Sequence, residues 1–436
     1  MNTDIEIRTG AWKFEDRLRL SFPENWVIRH IKGNFLPAAR PEEIQTPLEN
    51  PIGSERLHRI LERKRSVAIV VDDHTRPTPV FRIVKKVLNE IRLAGIPECN
   101  VKIIVALGTH VLKDKSLMRS KLGGLLDSGI QLVLPDCRNS KDYIYVGKSK
   151  SNIPVFIHRE YASADAKISI SGIYPHDEAG FSGGAKILIG VLGLRTLSLF
   201  HRKFTESGRG REIETLFRNE VESFADLTGI DFSVNVVVNQ EKEVHKVWCG
   251  NFRTAFREAA IYAKRCLGVD LAPDADVVIS NAYPFDTSLS VVGKSEWPFK
   301  YARKNAKRIV VASPSSLVDF RIPRCASKGE VLRQAAKKVS FVRSIRGALS
   351  RLKLRKLAME FERRPDLKWE GHYVFFMPRF EMVASTRLKV TTFLAVYDVW
   401  DSLLGELKSY FPDCYNVNVA LYDFAPMHYP LAGSDC

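Results

Sequence analysis

The sequence predicts an α/β protein built from two α/β domains with largely parallel sheets and a site in the cleft between them. Short runs of β-branched residues alternate with helical stretches, which is the pattern of βαβ units. Four of these runs end in clusters of polar residues. The length of 436 residues exceeds what one ordinary hydrophobic core supports, and this favours two domains.

The predicted strands are short apolar runs rich in valine and isoleucine. They are Ser66–Val71, Val101–Leu107, Ile130–Leu134, Ala166–Ser171, Asp276–Ser280 and Arg308–Ala312. Between the first two, the stretch PVFRIVKKVLNEIRLAGI predicts a helix that starts at Pro79, carries apolar residues at helical spacing and stops at Gly95.

A domain boundary is expected in the polar stretch around residue 270. It divides the chain into residues 1–270, a first domain with the lysine and histidines of the site, and residues 271–436, a second α/β domain that closes the cleft. Clefts between domains are common places for a pocket.

The composition is that of an ordinary globular protein, with 45% hydrophobic and 27% charged residues. The longest apolar runs are far shorter than the roughly 20 residues of a membrane span. The first residues, MNTDIEIRTG, contain no apolar secretory segment. The seven cysteines form no CxxC pair, which argues against a zinc ribbon or a disulfide scaffold and fits a reducing compartment. We therefore expect a cytoplasmic protein without a membrane partner.

The formal net charge of +16 suits anionic small substrates and phosphate-bearing cofactors. The excess is spread along the chain except for a dense stretch at Arg343–Arg364. An amphipathic helix with a solvated basic face is the favoured interpretation of that stretch, and a nucleic-acid patch is the alternative.

Polar clusters follow four predicted strands: DDHTRP, GTH, GIYPH and NAYPFD, the last with Lys294 a little further on. Ligands bind outside the carboxyl ends of strands in open α/β sheets, so these clusters are expected to converge. Arg76 suits a carboxylate or phosphate, and Asp73 either orients it or only pins the loop. His110 and His176 are candidate acids and bases because histidine titrates near ~6.5. The alternative for His110 is a capping or core histidine.

The densest candidate stretch is GIYPHDEAGFSGGAKILIGVLGLRTLSLFH, from Gly172 to His201. Its glycine-rich turn, with Ser182, Gly183 and Gly184, is predicted to join a strand to a helix. Glycines allow close backbone approach to a ligand, and unpaired N–H groups at a helix start favour an anion. Lys186 in such a turn either neutralises a phosphate or acts as a nucleophilic amine.

Several common motifs are absent. Lys186 is preceded by alanine and followed by isoleucine, so the turn is not a Walker A loop, and neither GxGxxG nor HExxH occurs. If a metal is bound, the protein alone supplies few ligands to it. His74 is weaker than its neighbours as a candidate. Four further histidines stand in no motif and receive no role: His158, His245, His372 and His428.

Taken in order, DDHTRP, ALGTH, PHDEAGFSGGAK, His201 and YPFD with Lys294 resemble the motifs of the nickel-dependent lactate racemase family. The early segment KFEDRLRLSFPENW is also similar to the start of that family. The resemblance implies a two-domain α/β fold with the site in the cleft. It also implies a nickel-pincer nucleotide, which is a pyridinium mononucleotide with two thio groups that hold nickel, supplied by cofactor-making enzymes.

The resemblance assigns roles to the candidate residues around that cofactor. Lys186 would carry it covalently, within the turn of Ser182, Gly183 and Gly184, and His201 would ligate the metal.

The remaining roles concern the substrate. The resemblance makes His110 and His176 the acid/base pair on opposite faces of a 2-hydroxy acid. Arg76 and Lys294 would hold anionic groups, and Asp73 would orient them. Such a pair serves a racemase or epimerase, in which hydride leaves Cα for the cofactor and returns to either face.

Some neighbouring positions depart from the lactate pattern. Val111 follows GTH where the family has arginine, Asp177 and Glu178 replace an aromatic pair, and Leu289-Ser290-Val291 replaces Leu-Tyr-Gln. We therefore expect a 2-hydroxy acid other than lactate. Because carboxylates accept hydrogen bonds from hydroxyls and repel a second carboxylate, a polyhydroxy acid is favoured over a dicarboxylate. The alternative is that Asp177 and Glu178 only face a helix N-terminus.

Two other functional classes remain open from the sequence. One is a phosphate- or nucleotide-binding enzyme on the same scaffold without nickel. The other, less favoured, is a basic protein that docks nucleic acid through Arg343–Arg364.

Overall fold

The computed structural model describes residues 3–112, 116–204, 208–315, 373–379 and 396–431. Within these ranges, two six-stranded sheets form the framework of an α/β fold. The basic stretch Arg343–Arg364 lies outside the described residues.

The first sheet has the strand order β13-β12-β9-β4-β5-β6, and all its pairings are parallel except that of β13 with β12. Its strands are β4 (Val67–Asp72), β5 (Val101–Ala106), β6 (Gln131–Val133), β9 (Ala166–Gly172), β12 (Phe232–Val238) and β13 (Val244–Gly250).

The second sheet has the order β18-β17-β16-β15-β19-β3 and is parallel throughout. Its strands are β3 (Val27–Ile31), β15 (Val277–Asn281), β16 (Lys307–Val311), β17 (Val374–Phe376), β18 (Val396–Tyr397) and β19 (Asn418–Tyr422). The six strands predicted from the sequence are thus confirmed to within one residue at either end, and the predicted fold class is confirmed.

The second sheet draws on both ends of the chain, because β3 pairs in parallel with β19. Strands β1 (Thr3–Thr9) and β2 (Asp16–Phe22) form an antiparallel hairpin whose apolar residues share one core with β15 and β19. The division into residues 1–270 and 271–436 stays a prediction. A unit built on the second sheet would have to include the amino-terminal segment as well.

Three short strand pairs complete the described sheets. They are β7 (Tyr143–Lys148) with β8 (Pro154–His158), β10 (Pro175–His176) with β11 (Gly180–Phe181), and β14 (Gly268–Val269) with β20 (Tyr429–Pro430).

The described α-helices connect and cover these sheets. They are α1 (Pro41–Glu49), α2 (Leu57–Ile60), α3 (Val80–Leu93), α4 (Ser116–Leu122), α5 (Arg159–Ala162), α6 (Leu194–Lys203), α7 (Leu216–Thr228), α8 (Thr254–Cys266), α9 (Leu289–Val292) and α10 (Trp400–Lys408). Short 3₁₀ segments lie at Glu98–Asn100, Gly123–Asp127, Ser140–Asp142, Gly184–Val191, Gly293–Ser295, Trp297–Lys300 and Ala425–Met427. In the described ranges, no helix has the length and apolar character needed to cross a membrane.

Helix α3 confirms the prediction for PVFRIVKKVLNEIRLAGI. Pro79 is its N-cap, and Gly95 follows its end with a φ of +77°, which suits glycine. Its apolar stripe is buried against the first sheet, in the same core as alternate residues of β4. The other face of β4 packs on the 3₁₀ segment Gly184–Val191, α6 and α7. Because both faces are covered, β4 is an unbroken apolar run.

The carboxyl ends of β9, β4 and β5 are neighbours in the first sheet, so the loops after them meet at one edge. The loop after β15 of the second sheet reaches the same edge. There the Phe285 ring packs 5.2 Å from that of Tyr174, and the Thr287 hydroxyl donates to the His74 carbonyl at 3.3 Å. The four polar clusters therefore converge, as the sequence predicts.

Candidate active site

Asp73, directly after β4, is the buried anchor of the DDHTRP turn. Its Oδ1 accepts hydrogen bonds from the Thr75 N–H at 2.9 Å and the Thr75 hydroxyl at 2.6 Å, while Oδ2 lies 2.5 Å from Nδ1 of His110. Burial alone would raise the pKa of Asp73, but His110, His74 and Arg76 hold it well below its usual value. Asp73 therefore orients His110 and also pins its own turn.

His110 is placed by a turn that only glycine fits easily. Gly108 has a φ of +56°, and its N–H donates to the Gly190 carbonyl at 2.9 Å, which ties the loop after β5 to the 3₁₀ segment Gly184–Val191. With Nδ1 against Asp73, the Nε2 atom of His110 is the nitrogen left for proton transfer.

The backbone of Arg76 is held in place by hydrogen bonds, and its guanidinium extends to the sheet edge where the four loops meet. Its carbonyl accepts from Lys121 Nζ at 2.7 Å and from Trp12 Nε1 at 3.1 Å, and its guanidinium lies 5.5 Å from the centre of the Phe285 ring. Its Nη1 is buried and has no hydrogen-bond partner among the described residues. A buried donor without a partner is costly, so this atom is suited to an anionic ligand.

Ser182 closes the glycine-rich turn by bonding across it. Its hydroxyl donates to the Gly172 carbonyl at 2.7 Å and accepts from the Tyr174 N–H at 2.8 Å. The hydroxyl is thus already engaged on both sides, and its contribution to any ligand site is the shape of the loop.

Gly183 and Gly184 take conformations that side chains would strain, with φ of +93° and +54°. A Cβ on Gly183 would lie 2.2 Å from Ile173, and the Gly184 N–H donates to Asn235 Oδ1 at 2.9 Å. The predicted helix after the turn is a 3₁₀ segment, Gly184–Val191, followed by α6. The expectation of several unpaired N–H groups there is therefore wrong in part, because Asn235 already binds one of them.

Arg218, on α7, supports this turn from beneath and was not foreseen from the sequence. It is fully buried, donates to the carbonyls of Gly183 at 2.9 Å and Phe181 at 2.5 Å, and lies 3.8 Å from the centre of the Phe256 ring. Burial lowers the pKa of Arg218 to about 10. It sits in the helical run LFRNEVESF, where sequence alone does not distinguish it from a surface arginine.

Lys186 and Lys294 meet at the convergence of the loops. Burial, together with Arg76, Lys294 and Arg218, holds the pKa of Lys186 well below its usual value. Burial, with Arg76 and Arg209, lowers the pKa of Lys294 to about 7 although two carboxylates oppose the shift. Both lysines are therefore more easily neutral, and more nucleophilic, than surface lysines.

His176 lies on β10 with its ring mostly buried. Burial and four surrounding cations, led by Lys186, hold its pKa well below 6.5. Its ring centre is 5.9 Å from that of Phe217.

His201, on α6, lies near the same phenylalanine. Its ring centre is 6.1 Å from Phe217 and 5.2 Å from Phe200. Burial and the charge of Lys186 lower its pKa to about 4, although part of the residue is exposed. His176, Lys186 and His201 are thus within electrostatic reach of one another.

The two acidic residues after His176 have different partners. Asp177 Oδ1 lies 3.4 Å from Arg209 Nη1, and Arg209 also donates to the carbonyls of Pro426 at 2.8 Å and His428 at 3.1 Å. Glu178 Oε2 lies 3.2 Å from Nδ1 of His176. The contacts the structure gives them are therefore with an arginine and with a candidate acid/base.

The acid of the NAYPFD cluster is structural. Asp286 is fully buried and accepts backbone N–H bonds from Gly10, Ala11 and Ser313 at 2.7, 3.1 and 3.1 Å. It ties the amino-terminal hairpin to the second sheet, which positions the loop that carries Lys294.

Arg76, Lys186 and Lys294 form a group of cations that no described carboxylate pairs within ion-pair distance. The charge of Arg76 helps to lower the pKa of both lysines, and that of Lys294 helps to lower the pKa of Lys186, so an anion placed among them would be stabilised. Among the described residues, no group of three histidines, cysteines or carboxylates could hold a metal ion. The cation group therefore fits a ligand that carries anionic groups.

Lys121 and Arg209 also belong to the site and were missed. Lys121 is fully buried, and burial lowers its pKa to about 8. Its Nζ donates to the backbone carbonyl of Arg76 and so supports that residue. A lysine on the apolar side of a helix, as in SLMRSKL, is the signal that could have found it.

Known proteins match this chain in sequence and in fold. The sequence model of the family described as "Lactate racemase N-terminal domain" matches residues 15–212. The lactate racemase of Thermoanaerobacterium thermosaccharolyticum is 29% identical over 322 residues, which are 71% of this chain and 74% of that protein. The lactate racemase of Lactiplantibacillus plantarum is 27% identical over 280 residues, 62% of this chain and 65% of that protein.

Two solved structures share the fold. The lactate racemase apoprotein from T. thermosaccharolyticum superposes with a TM-score of 0.69 at 20% identity and covers 98% of this chain and 100% of its own. A protein from Thermotoga maritima gives a TM-score of 0.56 at 15% identity, covering 91% and 99%. With the family's motifs at one edge of the fold, residues 15–212 match the lactate racemase N-terminal domain, and the chain is similar in sequence to lactate racemases over most of its length.

Proposed function

We propose that the protein is a racemase or epimerase of a 2-hydroxy acid other than lactate, working with a nickel-pincer nucleotide tethered to Lys186. The observation that carries this proposal is the convergence of two histidines from different strands with a group of unpaired cations. A reaction that inverts a centre through a planar keto acid needs a proton carrier on each face, and the loops after β5 and β9 supply His110 and His176.

The cofactor fits the residues at the site. Lys186 has an amine whose pKa is held well below its usual value, as a covalent attachment requires. Burial and the charge of Lys186 lower the pKa of His201 to about 4, so its ring is easily neutral, as a metal ligand must be. When bound, the group would supply the acceptor and donor of the Cα hydride, chemistry that protein side chains lack.

The chain's own residues bind the substrate and move its proton. The unpaired Arg76 Nη1 and the Lys294 amine are suited to the carboxylate and to the oxygen that gains charge. His110 Nε2 takes the hydroxyl proton on one face, with Asp73 fixing the ring through Nδ1. His176 serves the other face, so the roles exchange when the reaction reverses.

The substrate is proposed to be a polyhydroxy acid. Asp177 and Glu178 both act on the pKa of Lys294, so their carboxylates lie at the border of the cation group. There they would accept hydrogen bonds from hydroxyls of the substrate's tail and repel a second carboxylate.

The test is the intact mass of the full chain after co-expression with cofactor-making enzymes, for native protein and Lys186→Ala. A mass increase that the variant loses supports the tether. Native protein whose Lys186 carries no adduct after this co-expression would favour a phosphate- or nucleotide-binding enzyme without nickel.

The loaded protein is then given chiral 2-hydroxy acids: lactate, malate and a sugar acid. Inversion of the sugar acid ahead of the other two supports the proposed substrate class. Faster turnover of malate than of the sugar acid contradicts it.

A further inference from the structure

Nδ1 of His176 has two contacts that favour opposite protonation states. The Ala179 N–H donates towards it at 3.3 Å, which favours a bare Nδ1 and a proton on Nε2. The Glu178 carboxylate lies 3.2 Å away, which favours a proton on Nδ1 and a bare Nε2. Within the described residues Nε2 has no hydrogen-bond partner, so the tautomer depends on which of the two contacts at Nδ1 is the more favourable.

Only one of these tautomers can act as a base towards a substrate. A bare Nε2 can accept a proton, whereas a protonated Nε2 on a neutral ring cannot. The charge of the Glu178 carboxylate, 3.2 Å from Nδ1, favours the tautomer that places the proton on that nitrogen, and the backbone N–H at 3.3 Å is a neutral donor, so Glu178 is expected to prevail.

The charges around His176 make this carboxylate more important. Four cations act on the ring from several elements: Lys186, Lys294, Arg76 and Arg209. The residues directly after His176 bring two carboxylates to this region, Asp177 and Glu178. Asp177 is engaged by Arg209, which leaves Glu178 as the described carboxylate within ion-pair distance of the ring.

We propose that Glu178 is a positioning residue for His176, holding the proton on Nδ1 so that Nε2 is the atom that takes and returns the substrate proton. This rests on the proposed function of His176 as acid and base. The pair parallels Asp73 with His110, so each face has a histidine whose Nδ1 is held by a carboxylate. The partner on this face comes from only two residues along the chain, at a position where the family pattern has an aromatic residue.

The test is nitrogen-15 NMR of histidine-labelled full-length protein, with the His176 signals assigned by their loss in His176→Gln. In the native protein at high pH, the proton should lie on Nδ1. In Glu178→Gln it should move to Nε2, and the pKa of His176 should fall further, by about one unit. With the loaded enzyme and a substrate it turns over, kcat should drop about tenfold to a hundredfold.

Glu212→Gln is the matched control, because Glu212 lines the same surface cavity as Glu178 and forms no ion pair with His176. It should leave the tautomer and the pKa of His176 unchanged. Glu178→Ala, which removes the side chain without offering a new hydrogen-bonding group, should behave as Glu178→Gln does.

A neutral His176 with its proton on Nε2 in the native protein, or the same tautomer and pKa in all variants, overturns the inference. The NMR measurements require neither cofactor nor substrate. Their failure would therefore leave the proposed function untouched, whereas absence of any conversion by a loaded protein with the expected tautomer would contradict the function alone.

Discussion

Replacing Arg218 by methionine should destabilise the protein by about 2–4 kcal/mol. The buried guanidinium donates to the carbonyls of Gly183 and Phe181, and hydrogen bonds from a charged group contribute about 1.5–3 kcal/mol each. The contact with the Phe256 ring adds to this, and methionine replaces part of that packing. The loss is reduced because burial of the charge is itself unfavourable, as the lowered pKa of Arg218 shows.

The measurement is the free energy of unfolding in urea at neutral pH. The control is Arg253→Met, since Arg253 is about one-third exposed and pairs with Glu222 and Asp226. A pair that exposed should contribute less than about 1 kcal/mol. If the two substitutions lowered the free energy of unfolding equally, Arg218 would not be a specific support of the glycine turn. The same conclusion would follow if the Arg218→Met protein kept the stability of the native protein and was fully loaded with cofactor.

Three further predictions concern groups at the site. Asp73→Asn removes a buried carboxylate whose pKa is held well below its usual value. The variant should therefore be less stable than the native protein by a full amount above about pH 4, and by less as the pH falls. Urea titrations across this range check the sign, and a difference that grows in acid would contradict it. Lys294, with a pKa of about 7, should be acylated at neutral pH before ordinary lysines, as peptide mass spectrometry would show. Gly183→Ala, at a φ of +93°, should lower cofactor loading at Lys186 by about tenfold or more. The control is Gly124→Ala, which should not lower it, because a Cβ there meets nothing within 4 Å. Equal loading of the two proteins would contradict the claim that the conformation of the turn is needed for loading.

The first sheet shows why its strands could be read from the sequence. Val67–Asp72 is buried on both faces and is apolar up to Asp72, and Val101–Ala106 is interrupted only by Lys102, so both are apolar runs followed by polar residues. The prediction did not include Phe232–Val238, although it is wholly buried. Its Asn235 interrupts the apolar pattern because that amide binds the Gly184 N–H.

The candidate residues were predictable for a related reason. Asp73, His110 and His176 each follow the carboxyl end of a strand, and neighbouring parallel strands bring such positions together. Arg209, Arg218 and Lys121 could not be found in this way. Their importance comes from burial against segments distant in the chain. An arginine in a turn, such as Arg209, or in a helical run, such as Arg218, carries no mark of that burial, and Lys121 shows it only through its place on the apolar side of α4.

The sequence by itself determined the fold class, the strand ends and the residue types at the site, because periodicity and strand-end polarity are local properties of the chain. The tertiary structure decided which of those groups touch and in what electrical state. It showed that β3 joins the second sheet and that Glu178 lies beside His176. It also showed that three cations share one edge without carboxylate partners among the described residues. Such facts depend on distances and burial between segments far apart in the chain, which no local pattern encodes.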